Sequence, residues 1–349
     1  MSEPIGIKRY GMEGLKKLMA SWGEPGFRAT QLLRWLYAQG AQNYQEMSNL
    51  SRALRTKLED NEPLAVPELL ERRISADKTR KYLLRLADGA CVETVGIPDD
   101  DRLTVCFSTQ VGCAMDCAFC ATGLNGLTRS LAPGEMVDQL VLVSRDFATR
   151  VTNAVAMGEG EPFANYDATL AALRIMNNPD GLGIGARHLT VSSCGLLKPL
   201  ERFAGEPEQF TLAISLHSAI QATRNMLMPI LAKQPIASLR SALIAYAEAT
   251  GRRPSLEFTL IDGVNDTPRE IDALIGFARG ILCHINLIPL NPTTDTQIAD
   301  THIANTSSQK RCAAIAAQLR DAHIECSIRR SRGTDISSAC GQLKGTLSP

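Results

Sequence analysis

Cys113, Cys117 and Cys120 lie within one short run, Gly-Cys-Ala-Met-Asp-Cys-Ala-Phe-Cys. Thiolates are the ordinary ligands of iron–sulfur clusters, and a closed cubic cluster takes four of them. Three thiolates hold three corners and leave the fourth iron open to a small-molecule ligand. The spacing therefore points to chemistry at a vacant metal corner rather than to a structural staple. A structural zinc ion also wants four ligands. No Cys or His follows Cys120 within twenty residues, so a zinc site would need a distant residue folded in. On spacing alone both readings stand.

The chain around this run has 349 residues, 44% of them hydrophobic and 21% charged, enough for one large α/β domain and a smaller one. No stretch approaches the roughly 20 apolar residues of a membrane span, and the start, Met-Ser-Glu-Pro-Ile-Gly-Ile-Lys-Arg-Tyr, lacks the apolar core of a signal peptide. Ten cysteines, three of them clustered and with no leader, suit a reducing cytoplasm better than a disulfide framework. The 37 basic and 37 acidic residues balance, so bulk charge argues neither for nor against nucleic acid. Two local excesses of positive charge remain: residues 1–90, with 15 Lys/Arg against 11 Asp/Glu, and the run Arg329-Arg330-Ser331-Arg332. Either alone also reads as a solvated face.

The elements that must position the cysteines follow from hydrophobic periodicity. Residues 10–60 read as helical. Leu15, Leu18 and Met19 share one face, the run 31–37 forms a second amphipathic stretch, and Leu50, Leu54 and Leu58 mark a third with Ser51 placed to cap it. Short strands are expected over 66–97, including 79–86 and, after the turn Asp88-Gly89, 91–95. From about residue 100 short apolar strands alternate with longer helical runs. The strands are expected at 103–107, 153–157, 188–193, 211–216, 255–260 and 284–289, and the helices at 133–148, 166–176, 236–249 and 268–278. Such alternation argues a parallel sheet with right-handed crossovers. Six units predict an α/β fold of the partial (β/α)6 barrel type, with a small helical N-terminal domain. A last helix over 308–322 and a strand over 324–329 lead into the terminal loop. In such folds ligand-binding groups gather at the C-terminal ends of the strands.

The cysteine run follows the first of these strands directly. In this position it resembles the radical S-adenosylmethionine (SAM) superfamily. Five further blocks narrow the match: Cys106-Phe-Ser-Thr-Gln-Val-Gly-Cys113, Met157-Gly-Glu-Gly-Glu-Pro162, Ser215-Leu-His217, Asn286-Leu-Ile-Pro-Leu-Asn-Pro292 and Gly333-Thr-Asp-Ile-Ser-Ser-Ala-Cys-Gly-Gln-Leu343. Together with Gly26-Phe-Arg-Ala-Thr-Gln-Leu-Leu-Arg-Trp-Leu36 they resemble, in order and over nearly the whole chain, the RlmN/Cfr family of RNA methyltransferases, which modify an adenine ring carbon.

The resemblance implies a division into a helical RNA-binding accessory domain with a short strand linker, residues 1–90, and a radical SAM methyltransferase core, residues 91–349. It implies a [4Fe-4S] cluster on Cys113, Cys117 and Cys120, and SAM contacts from Gly160, Glu161, Ser192, Ser215, Leu216, His217 and Asn291. Cys340 would accept a methyl group, which needs a thiolate nucleophile. Cys106 would resolve the product through a transient disulfide by ordinary thiol exchange, and Glu93 would take the ring proton. Unaided, the same residues read more blandly: Cys106 as a packed strand cysteine, Glu93 as a surface carboxylate, His217 as a satisfied core histidine and Gly160-Glu161 as a plain strand–helix turn. The implied substrate is an adenosine of 23S ribosomal RNA, carbon 2 favoured over carbon 8, with transfer RNA as a second target. The helical module and the Arg-rich strand would do the reading. Trp35 and Tyr37 offer stacking faces, although aromatics in an amphipathic run also read as core. An electron-donor protein, a monomeric chain and a cytoplasmic location complete the expectation.

This sequence departs from the family pattern at three points. Glu159 stands where the glycine turn usually has a second Met, which sets an extra carboxylate near the expected SAM site. Cys194 stands where a small hydroxyl residue is common, and the chain ends nine residues after Cys340. Cys91, Cys194, Cys283, Cys312 and Cys326 match no catalytic position and read as small apolar residues. Two alternatives remain at this level: a radical SAM enzyme acting on a non-RNA substrate, and a zinc protein that binds RNA without catalysis.

Overall fold

Parallel strands buried on both faces need near-continuous apolar runs, and the runs read from the sequence form the centre of one ten-stranded sheet. The computed structural model describes residues 6–291 and 305–343; Pro292 of the family block, residues 1–5 and residues 344–349 lie outside them. Three helices open the chain: α1 (Met12–Ser21), α2 (Phe27–Leu33) and α3 (Arg52–Asn61). Leu15, Met19, Leu32, Leu33, Leu54 and Leu58 are buried between them. Ser51 caps α3 as expected, its Oγ accepting from Leu54 N at 3.2 Å. The run 31–37 is not one regular helix: α2 gives way to a π turn, Arg34–Ala38.

Strands β1 (Glu68–Ile74), β2 (Arg80–Arg85) and β3 (Cys91–Asp99) form an antiparallel meander that meets β4 (Arg102–Cys106). Because Leu83 pairs with Glu93, β1 and β2 belong to the core's sheet although they precede residue 91. The hairpin β5 (Gln110–Gly112) and β6 (Leu127–Ser130) flanks the cysteine loop. Beyond it come α4 (Pro133–Phe147), β7 (Asn153–Ala156), α5 (Tyr166–Asn177), β8 (Leu189–Ser193), α6 (Leu197–Ala204), β9 (Thr211–Ser215), α7 (Gln221–Leu227), α8 (Ile236–Thr250), β10 (Ser255–Leu260), α9 (Pro268–Ala278), β11 (His284–Pro289), α10 (Gln309–Asp321) and β12 (Cys326–Ile328).

From β4 the order runs β7, β8, β9, β10, β11, β12, all parallel. The six expected barrel strands are present in the expected order, with β12 added at the open edge. α4 starts with Pro133 in its first turn, and Glu135 reaches back to accept from Ala132 N at 2.8 Å, which satisfies one of the free donors of a helix start. A buried ion pair, Lys8 Nζ to Asp138 Oδ1 at 2.6 Å, ties the helical module to α4. No helix among the described residues is long and apolar enough to cross a membrane.

Candidate active site

The C-terminal ends of the parallel strands surround one cavity of about 920 Å³, open solvent at its mouth included. Cys113, Cys117 and Cys120 border it from the loop between β5 and β6, and Cys340 borders it from the terminal loop. Burial raises all three loop thiols above their ordinary value, Cys113 to about 12. Deprotonated ligands are what a metal centre requires, so these thiols call for a cationic partner. Among the described residues no three ligating side chains converge on a single metal ion; the three thiols share the lining of the cavity.

The strand ends supply more of its lining: Gly160 and Glu161 after β7, Ser192 on β8, Ser215 and His217 at and after β9, Asn291 after β11. Gly160 has a φ of +100°, and a Cβ there would stand 2.6 Å from that of Gln110, so only glycine fits. Glu161 is buried; its Oε2 accepts from Cys194 N at 2.7 Å and its Oε1 from Phe163 N at 2.9 Å. Burial raises its carboxyl above the ordinary value despite those bonds. His217 Nδ1 accepts from Thr259 N at 3.0 Å, leaving the proton on Nε2. Burial, with Arg224 nearby, pushes its imidazole down to about 3, so it is neutral. Leu216 differs: it is fully buried in the main core and does not border the cavity.

Cys340 and Cys106 border a second, adjoining cavity, which shares Met157, Ile288, Asn291, Arg329 and Cys340 with the first. β4 pairs with β3 so that Val95 lies opposite Cys106, and both pack against Leu343 of the terminal loop. Burial pushes the Cys106 thiol up to about 12, and the Cys340 thiol adds to the shift. Three contacts seat the Cys340 loop: Asn291 Nδ2 donates to Cys340 O at 3.1 Å, Ala121 N to Gly341 O at 2.8 Å and Thr122 Oγ1 to Leu343 O at 2.8 Å. The structure therefore gathers two thiols from distant parts of the chain beside the cysteine loop.

Glu93 shares a face of β3 with Val95 and Ile97 but borders neither cavity. It is buried and paired with Lys81 Nζ at 2.9 Å, and Lys81 also donates to Ser337 O in the terminal loop. Glu159 is turned away from the cofactor cavity, contrary to the expectation of a carboxylate beside it. Its Oε1 accepts from Glu93 N at 2.7 Å and its Oε2 from Gly112 N at 3.3 Å. Cys194, expected only to pack, borders the cavity with its Sγ 3.5 Å from Met115 Sδ. Cys283 and Cys312 are buried, and Cys91 and Cys326 are half-buried. Lys81 and Glu257 were missed from sequence, and Arg329, read there only as part of a basic run for RNA, borders both cavities. Of these, Glu257 carried a signal, being a carboxylate in a buried parallel strand, where it now borders the cavity and accepts from Asn286 Nδ2 at 2.7 Å.

Comparison with known proteins agrees with this geometry. The crystal structure of a radical SAM methyltransferase from Sphaerobacter thermophilus matches with a TM-score of 0.90 and 41% identity, over 98% of this chain and 100% of that one. The model of the radical SAM superfamily matches residues 107–277. Fold and site thus define a radical SAM enzyme. The model of the ribosomal RNA large subunit methyltransferase N-terminal domain matches residues 7–62. A probable dual-specificity RNA methyltransferase RlmN from Pelotomaculum thermopropionicum is 39% identical over 99% of this chain and 92% of its own length. One of the same name from Synechococcus elongatus is 42% identical over 96% and 92%. The chain belongs to the RlmN/Cfr family of radical SAM RNA methyltransferases, whose cofactors are a [4Fe-4S] cluster and SAM. The non-RNA and zinc alternatives fall with that membership. The donor set fits both cofactors: three thiols for the cluster, and a carboxylate, hydroxyls and a neutral imidazole for an amino-acid-bearing ligand.

Proposed function

We propose that this chain methylates a ring carbon of adenosine, carbon 2 in preference to carbon 8, in 23S ribosomal RNA, with transfer RNA as a second substrate. The observation that carries the reading is that Cys340 borders two adjoining cavities, one shared with Cys113, Cys117 and Cys120 and the other with Cys106. Cys106 also packs with Val95 and Leu343, but packing alone does not call for a second thiol on the same cavity, and a methyl relay needs both. The dual-specificity name of the relatives supports more than one RNA target.

When bound, the cluster on Cys113, Cys117 and Cys120 and the SAM beside it supply a transferable methyl group and a hydrogen-abstracting radical. Gly160, Glu161, Ser192, Ser215, His217 and Asn291 hold that ligand, and Leu216, whose backbone is bonded to Glu257 O and Ser218 N, fixes the strand end between Ser215 and His217. Cys340 Sγ takes up the methyl carbon and presents it to the electron-poor ring carbon between two ring nitrogens. Glu93, oriented by Lys81, receives the ring proton. Cys106 then gives up its thiol proton and its Sγ bonds to Cys340 Sγ; the S–C bond breaks with its electron pair left on the product's methylene carbon, which takes up a proton to become the methyl group, and the resulting disulfide awaits reduction. An electron-donor protein serves the cluster, and the chain acts as a cytoplasmic monomer.

Recognition of RNA falls to the helical part of residues 1–90 and to the Arg-rich run. Arg330 is exposed at the mouth of the second cavity, whereas Arg332 is engaged with Asp99 at 2.6 Å. Tyr37 is buried and so offers no stacking face. The test is mass spectrometry of the chain expressed with SAM: a methyl adduct is expected on Cys340 in wild type and in Cys106→Ala. Nucleoside analysis of treated RNA should show 2-methyladenosine. An unmodified Cys340 in both chains would overturn the relay.

A further inference from the structure

Arg224, on α7, is 1% exposed. Its Nε and Nη1 have no hydrogen-bond partner among the described residues, and only Nη2 is engaged, donating to Cys194 O at 2.8 Å. It does not itself border the cavity but lies close enough to Cys117, Cys194 and His217, which do, for its charge to act on all three. α7 is tied to the cysteine loop through Ala118 N, which donates to Leu227 O at 3.0 Å. Leu227 and Met228 pack with Cys194 and against Cys117 and Phe119.

An unpaired buried charge is costly, and a guanidinium does not escape that cost by losing its proton. Burial already pulls Arg224 below its ordinary value, opposed by the Cys194 and Cys117 thiols. A clamp on the Cys194 carbonyl alone would need one neutral donor, not a buried cation with two idle nitrogens. What the guanidinium lacks is an anionic partner within reach of its two idle nitrogens. A cubic cluster held by three thiolates is anionic and gains one more negative charge when reduced.

We propose that Arg224 is the buried counter-charge of the cluster and favours its reduced state, so that it sets the potential at which the enabling electron enters. It touches no substrate and acts as a positioning residue for charge. The proposal rests on Cys113, Cys117 and Cys120 being the cluster ligands.

The test is redox titration of the anaerobically purified holoenzyme, followed by the electron-spin signal of the reduced cluster, for wild type, Arg224→Lys, Arg224→Gln and Arg224→Met. Iron and sulfide content is measured first: a wild-type chain without a cluster refutes the ligand assignment rather than the role of Arg224. The reduction equilibrium should fall at least tenfold in the Gln and Met variants, 59 mV for one electron, and stay within threefold in the Lys variant. Gln and Met variants within twofold of wild type, or a Lys variant falling as far as they do, would overturn the proposal. If the neutral variants assemble no cluster, the apo chains decide. Apo Arg224→Met should melt above apo wild type, since a stranded charge has been removed, and a lower melting temperature would overturn the proposal.

Discussion

Glu159 shows how one departure from the family pattern is absorbed. A Met there would pack; the carboxylate instead bonds the backbone of β3 at Glu93 and of β5 at Gly112, just before the cysteine loop. Burial raises its carboxyl to about 8, and the neighbouring Glu93 carboxylate adds to the shift against the two backbone donors. In the unfolded chain the group ionises near 4.5. Between these values the native state holds a proton that the unfolded state has lost, so stability falls as pH rises through this window. Glu159→Gln should remove that slope. Urea unfolding of the apo chain at pH 5.5 and pH 8 should show wild type losing at least about 1.4 kcal/mol more than the variant, one pKa unit's worth. Equal losses would mean that Glu159 is ionised when folded. The proton-acceptor assignment of Glu93 is tested at the same scale. Glu93→Gln should leave methylation of Cys340 intact and slow turnover of methyl-loaded enzyme by about 10²- to 10⁴-fold, the usual worth of a positioned base. Full turnover would reassign the proton.

Elements were legible from sequence where periodicity was regular. The six barrel strands are apolar runs bounded by turn residues, and parallel packing on both faces leaves little else they could be. The cap of α3 was equally plain, because Ser51 precedes an apolar face. Ser51→Ala should cost about 1 kcal/mol, read as a lower urea midpoint with an unchanged slope. A loss confined to the noise would mean that α3 is held by Leu54 and Leu58 alone. The π turn Arg34–Ala38 and the hairpin β5–β6 were not legible, since neither carries a period of 3.6 or 2 over enough residues. The candidate site divides the same way. Cysteines, glycines and residues at strand ends were readable, Gly160 most clearly. Lys81 and Arg224 were not, because a lone basic residue in a sequence reads as solvated until packing buries it, and Arg329 read only as part of a basic run for RNA. Leu216 shows the converse: its neighbours Ser215 and His217 border the cavity while its own side chain turns into the core.

At the scale of the whole molecule, the site is an agreement among segments far apart in sequence. The terminal loop is held at one end by Asp335, which accepts from Ser75 Oγ at 2.5 Å and from Ala76 N at 3.1 Å. At the other end it rests on the cysteine loop through Thr122 Oγ1 and Leu343 O. Leu343 in turn covers Cys106. The two thiols of the proposed relay are therefore sheltered by one short segment, whose seating on the cysteine loop sets their exposure. Thr122→Val keeps the side chain's volume but leaves the Leu343 carbonyl unpaired, which costs about 1–3 kcal/mol. If that cost falls on the seated loop, its open population rises at least fivefold, by the usual tenfold for every 1.4 kcal/mol. Alkylation of Cys340 and Cys106 in the apo chain should then quicken together by that factor, while Cys283, distant from the loop, keeps its rate. A variant in which only Cys340 quickens would show that Leu343 does not shield Cys106, and that the two thiols are gated separately.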